Sequence, residues 1–277
     1  MRILVTNDDG IDSIGLLHLA RVASKHGEVV VAAPDSEYSG ASAAIGALHE
    51  VQPEIHRVSL SGLDEAWSVS GAPALCVMFA RLGVFGDPFD LVVSGINPGS
   101  NVGRSVYHSG TVGAAVTARN GGISGIAVSQ AVEHWGVEGQ GWDDVLQFQK
   151  WETAAHVADI AIGGFISSPT EIPSVLNVNI PNVEIDELGP WRKTEVATMP
   201  PRSIAKATLE AKAGHDNAYR VKMNWGDALD VPVETDSGAV MKGEISVTWL
   251  SPYTAIAPAG REGTETAIAE RFGQAQQ

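Results

Sequence analysis

Cysteine is almost missing from this 277-residue chain, in which Cys76 stands alone. No intrachain disulfide can form and no cysteine zinc cluster can be built, so stability must come from a packed core. Cys76 lies in the apolar run Ala74-Leu75-Cys76-Val77-Met78, where a thiol behaves as a small buried hydrophobe rather than as a nucleophile. Positive charge is also scarce: 18 Lys and Arg face 33 Asp and Glu, a formal net charge of −15. With no basic cluster, a nucleic-acid polymer is excluded as the main partner, because phosphate backbones are held by grouped Lys and Arg. A small anion is still compatible with an acidic chain when a metal ion or aimed backbone N–H groups supply local positive potential. No apolar stretch is long enough to span a bilayer, and no basic segment followed by an apolar run opens the chain. No membrane partner and a cytoplasmic location are therefore expected. The glycine fingerprint of dinucleotide folds, the phosphate loop ending in Lys-Ser/Thr, the His-Glu-x-x-His zinc helix and the Gly-x-Ser-x-Gly elbow are missing too.

What is present is a foldable mixture, 44% hydrophobic and 18% charged. Arg2 to Thr6 reads as a short buried strand followed by turn residues Asn7-Asp8-Asp9-Gly10. Leu16, Leu19, Ala20 and Ala23 recur at helical spacing, with Gly27 as the stop. Val29 to Ala33 is a second strand, ended by Pro34-Asp35. Pro73 to Leu82 reads as a helix with proline in its first turn. Leu91-Val92-Val93 is a strand entering a glycine-rich loop from Gly95 to Gly110, and Thr111 to Arg119 then reads as a helix. Ile126 to Val128 is a further strand. Phe148, Trp151, Ala155, Ala158 and Ile162 mark a helix face that Gly163-Gly164 should end, and Leu176 to Ile180 is a strand stopped by Pro181. Apolar strands alternating with helices predict a parallel sheet covered on both faces. Beyond residue 185, alternating segments such as Arg192 to Ala197 and Glu244 to Thr248 suggest antiparallel strands and hairpins. Residues 1–185 are thus expected as a core, 186–260 as strands forming an appendage or oligomerisation arm, and 261–277 as a polar, fraying tail.

Three loops carry candidate chemistry, each at a strand end where ligands of open α/β sheets bind. In the first, Asp8 and Asp9 are adjacent carboxylates, which a hard divalent cation would keep ionised together; a solvated Asp-Asp-Gly turn is the plainer alternative. In the second, Asp35 to Gly40, a serine hydroxyl could ligate a metal, although Ser-Gly is also an ordinary turn. The third, from Ser94 to Gly113, is the strongest. Ser109, Gly110 and Thr111 open a helix, whose free N–H groups and positive dipole end suit phosphate. Asn97 and Asn101 offer oxygens to a cation or N–H groups to an anion. Helix capping by Ser109 is the competing reading, but a cap needs no loop of this length and composition. His108 is read as a partly buried wall of this loop rather than an acid.

Taken together, these segments resemble the SurE family of nucleotidases. The matching pieces are Ile3 to Ile11, Ala33-Pro34-Asp35 with Ser39-Gly40, and Ser94 to Asn97 with Gly99, Asn101 and Gly103. Ser109 to Ala115, Leu176 to Pro181, Thr235-Asp236 and Gly243 to Thr248 complete the series. The resemblance implies a three-layer α/β/α sandwich with a Rossmann-like, mostly parallel sheet and a C-terminal β-hairpin arm that builds homodimers or homotetramers. It implies hydrolysis of nucleoside 5′- and 3′-monophosphates with one divalent metal ion per subunit, Mg²⁺ or Mn²⁺. By position, Asp8, Asp9, Ser39 and Asn97 match the metal ligands, with Asp8 and Asp9 also catalytic. Asn101, Ser109, Gly110 and Thr111 match the surroundings of the phosphate. Ser36, His108, the Gly71 to Cys76 stretch and the Ala/Gly-rich loop after Gly40 depart from the family pattern. Hydrolysis of polyphosphate or another phosphoester, or non-catalytic phosphate binding, are the competing functions.

Overall fold

The computed structural model describes residues 1–46, 52–132, 146–199, 202–251 and 258–272. Its centre is a nine-stranded sheet whose inner strands are parallel. They are β1 (Arg2–Thr6), β2 (Glu28–Pro34), β4 (Ala66–Val69), β5 (Leu91–Pro98), β6 (Ser124–Gln130) and β7 (Val175–Ile180). At one edge β3 (Ile55–Val58) runs antiparallel to β4; at the other, β11 (Ile245–Leu250) runs antiparallel to β7 and parallel to β8 (Trp191–Lys193). The order is β3-β4-β2-β1-β5-β6-β7-β11-β8.

Strand alternation explains the layers, since successive side chains leave opposite faces. Ile3 and Val5 point to one face with Val29, Val31, Leu91 and Val93, where α1 (Ile14–Ala23) and α4 (Trp151–Ser167) supply Leu16, Leu19, Ala154 and Ala158. Leu4, Val30 and Val92 point to the other, against Cys76, Val77 and Ala80 of α2 (Pro73–Arg81) and Ala114 and Ala118 of α3 (Gly110–Asn120). The result is the expected α/β/α sandwich. Cys76 is buried, and burial pushes its thiol up to about 12, as an inert core residue requires.

The sequence reading departs from the structure at several points. The short strands β3 and β4 were not anticipated. The α4 helix passes through Gly163 and Gly164 to Ser167, because Phe165 and Ile166 continue its apolar face and pack on the core. Phe148 lies before that helix and is exposed. The segment expected as a strand from Arg192 to Ala197 has only Trp191–Lys193 in the sheet, and it pairs in parallel, not as a hairpin. The hairpin is elsewhere: β9 (Arg202–Ala211) and β10 (Tyr219–Ala228) pair antiparallel as a separate two-stranded sheet. After α5 (Asp236–Met241), the polar C-terminal stretch read as fraying contains a helix, α6 (Glu262–Phe272), no residue of which is buried. Among the described residues no helix is long and apolar enough to cross a membrane.

Candidate active site

Strand order decides where the loops meet. The chain leaves β1 for β2 on one side, and later returns to β5 on the other side of β1. The loops after β1 and β5 therefore diverge from neighbouring strand ends, the arrangement that opens a crevice in a doubly wound sheet. Asp8 and Asp9 follow β1, and Asn97 lies at the end of β5.

The β1 turn is tied on both sides. Asn7 donates from Nδ2 to the Gly10 carbonyl at 3.1 Å, and Gly10 has φ +102°, a left-handed value that glycine adopts without a Cβ clash. The Ile11 N–H donates to Pro34 at 2.8 Å, and the Tyr38 N–H donates to the Asp8 carbonyl at 2.8 Å. Ser42 in turn donates from its backbone to the His108 carbonyl at 3.0 Å. The second loop is thus pinned between the first and third. Ser39 lies between those two pins and is exposed. His108, read as a partly buried wall, is exposed as well, and its backbone carbonyl is what the loop uses.

Asp8 is seated on the start of α3. Its Oδ1 accepts the Thr111 hydroxyl at 2.5 Å, and its carboxylate also faces the N–H groups of Gly110 and Thr111. A Cβ on Gly110 would lie 2.7 Å from the Asp8 Cβ, so glycine is required there by close approach. Ser109 caps the same helix, its Oγ accepting the Val112 N–H at 3.0 Å, which leaves its hydroxyl proton free to donate. Burial raises the Asp8 pKa, and these hydrogen bonds oppose that rise.

Asp9 has no such support. Both carboxylate oxygens are buried without a hydrogen-bond partner. Burial, then the charges of Asp8 and Glu37, push its pKa up to about 8. Asn97 directs its Nδ2 to the Gly99 carbonyl at 2.6 Å, so its amide oxygen is the end left to accept. Among the described residues no three His, Cys, Asp or Glu side chains converge. A cation here would therefore rest on two carboxylates and neutral oxygens, a set that suits a hard divalent ion keeping several waters. Two adjacent carboxylates, one with both oxygens orphaned in a buried crevice, fit such an ion. Asp8, Asp9, Ser39 and Asn97 are the residues that could hold it.

Asn101 is knitted into the ends of β6 and β7. Its N–H donates to Asn179 Oδ1 at 2.7 Å, its Nδ2 donates to Ser129 Oγ at 2.9 Å, and its carbonyl accepts from Asn177 and Asn179. Asp236, the first residue of α5, accepts N–H groups from Gly103 at 2.8 Å, Ala197 at 3.0 Å and Ser237 at 2.7 Å. Burial raises its pKa against those bonds. Sequence reading missed these anchors as a network; the signal was present as two asparagines two residues apart in a buried strand.

Comparison with known proteins agrees with this architecture. Residues 3–202 match the family model described as "Survival protein SurE". The chain belongs to the SurE family. Among curated relatives of the family, the "5'-nucleotidase SurE" of Marinomonas sp. is 34% identical over 254 residues, covering 90% of each chain. The "5'-nucleotidase SurE" of Aeromonas hydrophila is 31% identical, covering 91% of this chain and 92% of that one. The "5'/3'-nucleotidase SurE" of Erwinia tasmaniensis is 32% identical, covering 90% of each. The crystal structure of the SurE protein from Aquifex aeolicus superposes with a TM-score of 0.74 at 25% identity, covering 98% of this chain and all of that one.

Proposed function

We propose that this chain is a nucleotidase that hydrolyses nucleoside 5′- and 3′-monophosphates to nucleoside and phosphate, with one Mg²⁺ or Mn²⁺ ion per subunit. The observation that carries the reading is Asp9, its two oxygens buried and unpartnered beside Asp8 at the switch point of the sheet. The names of the curated relatives support the substrate class. When bound between Asp8, Asp9, Ser39 and Asn97, the cation supplies charge neutralisation and water activation.

The rest falls to the chain's own groups. Thr111 and the N–H groups of Gly110 and Thr111 fix Asp8, so that its carboxylate is pre-oriented. Asp9 keeps its oxygens free of hydrogen bonds and is the carboxylate able to take a proton from the attacking water. Ser109 offers its hydroxyl proton to a phosphate oxygen; Gly110 and Thr111 follow it at the start of α3, their own donors on Asp8, and Asn101 joins the phosphate surroundings only by its place in the family pattern. The test is phosphate release from nucleoside monophosphates and short polyphosphate with Mg²⁺, Mn²⁺ or EDTA. Metal-dependent release that Asp9→Asn lowers by about 10²-fold or more is the expected result. No release with any metal from folded protein would leave phosphate binding without catalysis.

Assembly as a homodimer or homotetramer through the β9–β10 arm is part of the proposal. Leu209 and Val221 face each other across the hairpin, beside Ala211 and Tyr219, and Leu209, Tyr219 and Val221 are 68%, 58% and 63% exposed. A lone two-stranded hairpin is marginal in water, so an apolar face on it asks for a partner. A cytoplasmic location accords with a single buried thiol.

A further inference from the structure

Beside Asp9 the crevice opens into a cavity of about 270 Å³ lined by Asp9, Asp12, Ser13, Ile14, Glu37, Pro98, Leu146 and Trp151. Its lining mixes two chemistries. Trp151, Ile14 and Leu146 contribute apolar and aromatic surface, whereas Asp12 and Glu37 contribute exposed carboxylates. Trp151 is firmly set. A Cβ on Gly15 would lie 2.9 Å from its ring, and the His18 ring stacks against it at 6.4 Å and 15°. Among the described residues no Lys or Arg lines the cavity.

We infer that this cavity is the leaving-group pocket, and that its Trp151 face and its Asp12 and Glu37 carboxylates select a planar, uncharged alcohol over a second phosphate. The inference rests on the proposed hydrolysis and specifies its substrate. A flat, half-buried indole gives a nucleobase a stacking surface, and stacking on an aromatic side chain is indifferent to which base it is. The two carboxylates can accept from ribose hydroxyls or exocyclic amines, while they repel an anionic chain. A polyphosphate or a nucleoside triphosphate would bring several negative charges to a lining whose charged groups, among the described residues, are all carboxylates. The same wall leaves a monophosphate unhindered, because its single phosphate lies on the Asp8–Asn97 side.

The test combines turnover with binding that needs no turnover. First, kcat/KM is measured for AMP, tripolyphosphate and glycerol 2-phosphate with the wild type, Asp12→Asn/Glu37→Gln and Trp151→Leu. The wild type should prefer AMP to tripolyphosphate by at least about 10²-fold, and the double substitution should close that gap at least about tenfold, chiefly by raising the tripolyphosphate value. Trp151→Leu should lower the AMP to glycerol 2-phosphate ratio by about tenfold or more. Second, adenosine binding is followed by calorimetry, with circular dichroism confirming the fold of each variant. Adenosine should bind the wild type and bind Trp151→Leu at least about tenfold more weakly. Adenosine binding lost in Trp151→Leu without phosphate release in any case would keep the pocket and remove the hydrolysis. Unchanged selectivity in the double variant, or adenosine binding indifferent to Trp151, would overturn the inference.

Discussion

Asp8 and Asp9 are neighbours in sequence with opposite surroundings: one is held by a hydroxyl and a helix start, the other by nothing but its burial. The difference leads to separate expectations. Thr111→Val keeps the shape of the side chain and removes the hydroxyl donated to Asp8. It should weaken the divalent ion by about 10–100-fold, the usual cost of losing a partner that orients a ligand; titration against a metal-sensitive dye measures it. For Asp9, the folded pKa near 8 lies above the ordinary 3.8. A raised carboxyl pKa means that the metal-free fold carries no penalty below about pH 4 and loses stability as pH rises toward 8. A cation binds the ionised form and reverses that loss. The rise in Tm caused by saturating Mg²⁺ or Mn²⁺ should therefore be larger at pH 8 than at pH 5.5, and Asp9→Asn should reduce the difference, leaving the part that Asp8 contributes. Equal shifts at both pH values would remove Asp9 from the metal site. The Asp8-Asp9 pair was conspicuous in the sequence because adjacent carboxylates at a strand end are costly without a cation. Which of the two is supported by α3 was not legible, since Thr111 is 103 positions from Asp8.

Among the elements, the loop between β5 and α3 is anchored from the far end of the chain. Asp236 holds the Gly103 N–H across 133 positions, and also receives Ala197 and Ser237. Asp236→Ala strands buried N–H groups at once and should cost about 3 kcal/mol in urea unfolding, since each abandoned buried donor is worth about 1–3 kcal/mol. A cost near zero would show that water replaces the carboxylate. Element types in the core followed from periodicity: apolar runs such as Val29 to Ala33 and the Leu16-Leu19-Ala20-Ala23 spacing have one physical solution each. Boundaries were less legible. Gly163-Gly164 looked like a stop, yet Gly163 sits where a Cβ would meet the His26 ring at 3.0 Å, so the glycine serves a contact rather than an end. Trp191–Lys193 joins the sheet beside β11 because a distant strand presents an edge, which local alternation does not reveal.

At the scale of the molecule, the apolar face of the β9–β10 hairpin has a direct consequence for mass. Replacing the facing pair Leu209 and Val221 with lysine and glutamate keeps a cross-strand attraction and removes the apolar face. Light scattering during gel filtration should then give the monomer mass in place of a multiple, with an unchanged thermal transition of the core. A wild type that is already monomeric would remove the arm from assembly. The α/β/α layering was legible because two-faced burial forces near-continuous apolar strands, as in Leu91 to Val93. The edges of the sheet were not, as β3 with its exposed His56 and Arg57 carries no such pattern.

The glycines that floor the site also set how this protein can change over evolutionary time. Added methyl groups at Gly15, Gly110 and Gly113 would lie 2.1 Å from the Ile96 carbonyl, 2.7 Å from Asp8 and 2.1 Å from the Ser42 carbonyl. Contacts that close mean that α1 and α3 meet the Ile96 and Ser42 main chain and the Asp8 side chain directly, so the floor admits no side-chain variation at those points. Asp12 and Glu37, by contrast, are exposed and carry no structural duty of that kind. New specificity is therefore accessible by drift in the wall while the reacting centre stays fixed, which makes Asp12 and Glu37 the positions at which a library for altered substrates should start.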